Sequence, residues 1–181
     1  MVVATIVLFI MMLAINEWLF RALEFVPGIN WIYLPAGMRL LCTLLFGEAG
    51  ALGLLIVSWL VSFFYFFPND FMRAFVGGIV ATMAPYGVYL IAQQTFGLRS
   101  SLVNLTSGRL LICILAYSFA SPLLHHVWFA IHGDKQPLLH GFMVMFIGDL
   151  SGTLLVVYAF KLMLHFLPVR KAPVRLHDDA A

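Results

Sequence analysis

The chain has 181 residues, of which 63% are apolar and 10% are charged. Soluble domains carry about 45–50% apolar and about 25% charged residues. The 10 Lys and Arg and 8 Asp and Glu of this chain are therefore too few to coat a globule of its size. The composition excludes a soluble globular domain, a disordered chain and a disulfide scaffold. It predicts an all-α fold, namely a polytopic transmembrane helical bundle.

Long stretches with few or no charges mark the predicted membrane spans, because a bilayer core needs about 20 apolar helical residues to cross it. The first stretch is uncharged until Glu17, and the last contains Asp149 and Lys161 within dense apolar sequence. In chain order, the predicted spans cover 1–20, 49–69, 74–98, 110–133 and 141–166.

A shorter apolar segment lies between the first two of these spans. It contains Arg39, and its Pro35 suits the first turn of a helix, where the missing N–H costs nothing. We predict a short helix at 35–46 that either crosses the bilayer or dips in and returns. Crossing gives six membrane segments, which we favour, and the alternative is five.

Loop cations give the predicted orientation, since cytoplasmic loops of membrane proteins are enriched in Lys and Arg. The C-terminal tail and the 97–108 loop are the most basic connections, so we expect both on the cytoplasmic side. With six segments the N-terminus is cytoplasmic too, whereas with five it lies outside. The cations concerned are Arg99, Arg170, Lys171 and Arg175.

One transmembrane domain is expected over 1–167, followed by a short, disordered cytoplasmic tail at 168–181. Met1 leads directly into apolar sequence without a basic region, so the first segment is expected to remain as an anchor. With no second domain expected, the protein would act inside the bilayer or through a partner.

Asp149 is the most deeply placed charge in the predicted spans. Ionisable groups at membrane depth cost roughly 2.5–3.5 kcal/mol on insertion scales, so each needs a physical reason. Gly148 and Gly152 flank Asp149 as a small-xxx-small pair, which lets another backbone approach closely. Thr153 shares the face of Asp149. We therefore expect a tightly packed polar contact patch here.

Arg39, one turn beyond Pro35, is the best candidate to face Asp149. A carboxylate–guanidinium pair can be bidentate and neutralises both charges. Such a pair would either fix the helix register or form a ligand or proton site, and the alternative is that the two side chains do not touch. The predicted polar centre therefore comprises Pro35, Arg39, Gly148, Asp149, Gly152 and Thr153.

Two further polar residues, Asn16 and Glu17, lie toward the end of the first span and are secondary candidates. Glu17 and Arg21 are four residues apart on one helical face and could pair locally. The plainer interpretation is a helix end at the membrane interface.

The histidines raise the alternative of a metal or haem site. His125 and His132 share a helical face, and His140 begins the next helix across a short loop. No HExxH or CxxC motif accompanies them, and His and aromatic residues are common at the interface. We expect no cofactor, no enzymatic activity and no nucleic-acid binding.

Two stretches of the chain are considered together, namely Tyr33–Arg39 running on to Leu44–Gly47, and Gly148–Leu155. They resemble the MASE1 family of bacterial integral membrane sensor domains, which has a Pro-Ser/Ala-Gly helix ending in Leu-Phe-Gly and a late Gly-Asp-x-x-Gly helix. The resemblance implies a multi-helix sensory module of the bacterial inner membrane. The family usually precedes an enzymatic or kinase output domain, whereas only a short tail follows here, so a stand-alone version would act through another protein.

A second resemblance, in architecture more than motif, is to the substrate-binding subunits of energy-coupling-factor vitamin transporters. Three hypotheses follow. The chain is a sensor-like or interaction subunit with a membrane protein partner, a small-molecule transport subunit, or a structural subunit of a larger membrane complex.

Overall fold

The computed structural model describes residues 1–98, 105–132 and 137–166, with the backbone alone at 164 and 165. These residues form a bundle of six helices, which confirms the predicted all-α class. Five of the helices are long and apolar enough to cross a membrane, so the chain is a multi-pass membrane protein. The helices are α1 (Val2–Phe20), α2 (Leu34–Phe46), α3 (Glu48–Val61, continued by a π-helical turn at Ser62–Phe66), α4 (Phe71–Phe96), α5 (Ser107–Ile131) and α6 (Leu138–Phe166).

Helix α2 runs antiparallel to α1 and connects the two ends of the bundle. Its first residue, Leu34, donates its backbone N–H to Asn16 near the end of α1. Its last turn lies beside Met1, with Leu44 and Phe46 lining the same hollow. The following helix starts there too, because Gly53 of α3 lies against the first turns of α1. That α2 is itself a sixth membrane segment stays a prediction, because only five of the described helices have the length and apolarity of a span.

A short antiparallel hairpin, absent from the sequence prediction, connects α1 to α2. Its strands are β1 (Glu24–Val26) and β2 (Ile29–Asn30). Pro27 and Gly28 form the turn, in which Gly28 has a φ of 84°. A positive φ is easily adopted by glycine, and Pro-Gly suits the central positions of a tight turn. The hairpin covers the end of the bundle where α1 finishes and α2 begins.

Helix α2 lies at the centre of the bundle and packs against α1, α3, α4 and α6. Most of its residues are buried, including Leu40 and Leu44 of the main apolar core. Because its neighbours surround it, a helix this short needs no lipid-facing surface of its own. The positive φ of Gly47, 56°, then turns the chain directly into α3.

Several predicted features lie outside the described residues. These are the tail at 168–181 with its cations, and Arg99 in the 97–108 loop. The start of α5 lies within the described residues and is capped by Thr106, whose hydroxyl accepts the backbone N–H of Arg109 at 3.4 Å.

Candidate functional site

Arg39 is the charged residue at the centre of the bundle, and it is only 7% exposed. Its guanidinium carbon lies 5.3 Å from the ring centre of Phe9 on α1 and 5.4 Å from that of Tyr33. Tyr117 of α5 lies beside the same guanidinium. Aromatic faces attract the cation, but they supply no negative charge to neutralise it.

Asp149 is 1% exposed and lies where α6 meets the segment that leads from the hairpin into α2. The carbonyl oxygens of Asn30 and Tyr33 occupy the positions where side chains on Gly148 and Gly152 would project. The backbone N–H of Tyr33 donates to the Gly148 carbonyl at 3.1 Å. The glycine pair therefore permits a close backbone approach, as the small-xxx-small pattern predicts.

Arg39 and Asp149 do not form the direct ion pair that the sequence suggested. The two charges influence each other electrostatically, but no nitrogen of Arg39 reaches ion-pair distance of an Asp149 oxygen. The glycine contacts hold Asp149 level with the segment before α2, whereas Arg39 lies roughly 8 Å beyond the start of α2. At Gly37, two residues before Arg39, α6 presents Thr153 and Val156 to α2.

Both charged groups keep an atom without a protein partner among the described residues. The Nε of Arg39 and the Oδ2 of Asp149 are buried without a hydrogen-bond partner, as is the Thr153 hydroxyl. Ser121 of α5 lies beside the Asp149 carboxyl group. Buried polar groups are ordinarily satisfied, so each of these atoms needs a physical explanation.

A small cavity of about 60 Å3 adjoins Arg39. The Tyr33 side chain lines the cavity and brings a hydroxyl that can donate or accept a hydrogen bond. The Ser58 hydroxyl is buried without a partner. The cavity thus joins the guanidinium of Arg39 to several neutral polar groups. The polar side chains on its wall include Tyr33, Arg39, Ser58, Ser62 and His125.

A second cavity of about 170 Å3 lies toward the hairpin end and shares part of the wall of the first. Arg73 borders both cavities, together with Phe67 and Phe129. Arg73 has a carboxylate partner, because its Nε lies 3.9 Å from Asp70 Oδ2. Among the residues that the structure describes, no carboxylate lies at contact distance from Arg39, the other arginine of the cavity wall.

The three histidines of the metal alternative are not brought together. His132 stacks on Trp128 at the end of α5, and His140 packs against Phe25 and Trp31. His125 lines the Arg39 cavity instead. Across the described parts of the chain, no group of three His, Cys, Asp or Glu is placed to hold a metal ion.

The two secondary candidates have structural contacts. The Asn16 amide oxygen accepts the Leu34 N–H at 2.9 Å and so caps α2. The Glu17 carboxylate accepts a hydrogen bond from Tyr65 at 3.0 Å and is not paired with Arg21. The local pair fails because the α-helix ends at Phe20 and Arg21 begins a 3₁₀ turn, which breaks the shared face. Pro35 occupies the first turn of α2, as predicted.

The remaining cavity residues were not predicted as site residues. Tyr33 belongs to a stretch that carries the family resemblance, and His125 is a candidate of the metal alternative, but neither was predicted to line a cavity with Arg39. Ser58 and Ser62 carry a usable signal, because they are four residues apart on α3 and so share a helical face.

No protein-family model matches the chain, and no curated protein or solved structure is significantly similar to it. The chemistry of the site therefore rests on its own geometry. A buried guanidinium that adjoins a small polar cavity and lacks a contacting carboxylate can hold a small anion.

Proposed function

We propose that this protein is a sensor-like subunit of the bacterial cytoplasmic membrane that binds a small anion at Arg39 and acts through a partner membrane protein. The observation that carries the proposal is the burial of Arg39 beside a cavity without a carboxylate at contact distance. The resemblance of the Tyr33–Gly47 and Gly148–Leu155 stretches to a family of sensor domains is consistent with it.

The energetic argument for an anion starts from the cost of the buried charge. Placing Arg at membrane depth costs roughly 2.5–3.5 kcal/mol, even on insertion scales. Two aromatic faces return about 0.5–2 kcal/mol each, which is comparable with that cost, but the faces give the guanidinium N–H groups no hydrogen-bond acceptor. A bound carboxylate or other oxyanion would supply hydrogen bonds to the guanidinium and neutralise it.

The location of Arg39 suits a sensor, because α2 contacts four other helices. A ligand that draws Arg39 toward the cavity changes the position of α2 relative to α1 and α6. A ligand shifts such an equilibrium only by its difference in affinity for the two arrangements. The partner would read the altered arrangement at the lipid-facing surface of the bundle.

Charge at the two ends of the bundle supports a cytoplasmic C-terminus. The end where α1 begins carries Arg109 and is the end toward which α6 runs before the basic tail. The hairpin end carries Arg21 and Arg73 together with the acidic Glu17, Glu24 and Asp70. Because the tail adds further cations to the other end, the positive-inside rule favours termini in the cytoplasm and the hairpin outside.

A transport subunit is the second candidate, and the arrangement of the cavities favours it specifically. The larger cavity lies toward the hairpin end and shares residues with the Arg39 cavity. Together they form a series of spaces that leads from one end of the bundle to its centre, as an entry route would.

Thermal unfolding in mild detergent tests the anion site. Acetate, formate and inorganic phosphate are added separately to the wild type and to Arg39→Gln, with sodium chloride at matched ionic strength as the reference. At least one anion is expected to raise the unfolding temperature of the wild type and not that of Arg39→Gln. Arg109→Gln is the matched control, because Arg109 lies at the far end and should leave the shift intact.

Affinity purification from native membranes, followed by mass spectrometry, separates the sensor from its rivals. Stoichiometric recovery of a signalling protein supports the sensor proposal. Recovery of a transporter module supports the second candidate, and recovery of a large assembly without an anion effect supports a structural subunit. Recovery of the chain alone contradicts every partner-based function.

A further inference from the structure

We infer that the ligand of the Arg39 cavity is a small hydroxy-carboxylate, with its carboxylate on Arg39 and its hydroxyl donating to His125. This inference rests on the proposed anion site and adds the chemical class and size of the ligand. Both residues line the same cavity of about 60 Å3.

The hydrogen bonding of His125 fixes which ring nitrogen carries a proton. Its Nδ1 lies 2.8 Å from the backbone carbonyl oxygen of Ser121. A carbonyl can only accept, so Nδ1 must be the donor. A neutral ring then has a lone pair on Nε2, which makes that atom an acceptor.

A charged His125 is disfavoured at this location. It would place a second cation in the same cavity as Arg39 at membrane depth, where each charge is costly. Within the described part of the chain, the charged groups of the cavity wall are Arg39 and Arg73, and no carboxylate lies at ion-pair distance from Arg39, whereas Asp70 lies at that distance from Arg73. The cavity therefore offers a cationic donor at Arg39 and a neutral acceptor at His125.

These two groups select a ligand that has an anionic acceptor and a separate hydrogen-bond donor. A simple carboxylate such as acetate satisfies Arg39 and leaves the His125 acceptor unsatisfied. A hydroxy-carboxylate such as glycolate can satisfy both. Buried sites built to bond a hydroxyl discriminate against analogues that lack it, because the protein group is then left without a partner.

The volume of the cavity limits the size of the ligand. One water-sized sphere takes about 10–15 Å3 of such volume, so the space holds roughly four to six non-hydrogen atoms. Acetate and glycolate fall within that range, whereas citrate and vitamins are far larger. The size therefore weighs against a vitamin as the ligand.

Isothermal titration calorimetry of the detergent-purified full chain tests the inference with glycolate, acetate and citrate. We expect glycolate to bind the wild type about tenfold more tightly than acetate, as one additional buried hydrogen bond implies. Citrate is expected not to bind. The comparison of glycolate with acetate needs no variant, so it stands even where a substitution disturbs folding.

His125→Phe should bring the affinities for glycolate and acetate to within about twofold of each other, since it removes the acceptor. His132→Phe is the matched control, because His132 lies at the end of α5 and should leave the preference intact. Arg39→Gln should abolish the binding of both anions.

The outcomes distinguish the inference from the proposed function. Equal, Arg39-dependent binding of acetate and glycolate to the wild type overturns the inference and leaves the anion site standing. Citrate binding as tight as that of glycolate overturns the size argument. Absence of binding by either small anion, with the wild type folded, contradicts the anion site itself.

Discussion

The backbone N–H of Tyr33 donates to the carbonyl oxygen of Gly148 at 3.1 Å, which joins the segment before α2 to the middle of α6. Ser151 strengthens the same contact, because its hydroxyl donates to the Trp31 carbonyl at 3.2 Å. These bonds hold the Asp149 carboxyl group beside the start of α2 and away from Arg39. As a result, the guanidinium adjoins the cavity without an acidic partner in contact.

Replacing either glycine of this junction should destabilise the protein. A Cβ on Gly148 or Gly152 would collide with a backbone carbonyl, and overpacking typically costs about 1–3 kcal/mol. Thermal unfolding in detergent should show a lower midpoint for Gly148→Ala and Gly152→Ala. Gly87→Ala is the matched control, because nothing lies within 4 Å of the added methyl group. Equal midpoints for all three variants would show that α6 does not approach the segment before α2 this closely.

Asn16→Ala should also lower stability, by about 1–2 kcal/mol. The substitution removes the acceptor of the Leu34 N–H and leaves a buried donor unsatisfied at the start of α2. Denaturation of the purified protein measures the loss, with Asn69→Ala as the reference at an exposed turn. A loss no larger than that of Asn69→Ala would mean that α2 does not need this cap.

Asp149→Asn should tighten anion binding at Arg39. The Asp149 carboxylate interacts electrostatically with the Arg39 guanidinium. For two unit charges separated by roughly 10 Å at an effective dielectric constant of about 20, such an interaction is worth about 1.7 kcal/mol, or somewhat more than tenfold in affinity. Titration of acetate into this variant and the wild type gives the comparison. Weaker binding by Asp149→Asn would contradict this expectation and would mean that the Asp149 carboxylate contributes to anion binding.

The same variant tests the absence of a contact pair through its stability. The ion pair suggested by the sequence would leave Arg39 buried and unpaired in Asp149→Asn, and breaking a buried pair costs about 3–5 kcal/mol. Without direct contact, the drop in unfolding free energy should be smaller than that. A loss of about 3–5 kcal/mol would instead indicate that Arg39 and Asp149 are in direct contact.

Hydropathy and charge spacing predicted most of the fold. The gaps between charges located the five long helices, and Pro35 located the start of α2 within one residue. The reason is physical: a helix in lipid must be apolar along its whole length, which leaves a strong trace in the sequence. The sequence signal of the hairpin is weak. It consists of the Pro27-Gly28 pair and two short strands, and the apolar residues on either side make the strands hard to distinguish from the adjoining helices.

The site was predicted only in part, because pairing depends on how helices are staggered. The sequence identified Arg39 and Asp149 as the charges that require an explanation, and both are buried. Their relative heights depend on the backbone contacts of Gly148 and Gly152, which composition and periodicity do not specify. The position of His125 in the cavity could not be predicted either, because it depends on how α5 is rotated about its own axis.

Equilibrium dialysis of radiolabelled glycolate tests the central claim most directly, with the detergent-purified wild type and Arg39→Gln compared under identical conditions. The account predicts saturable, stoichiometric binding to the wild type, competition by unlabelled acetate, and no binding to a folded Arg39→Gln variant. Equal binding by the two proteins, or no saturable binding by the wild type, would contradict an anion site at Arg39.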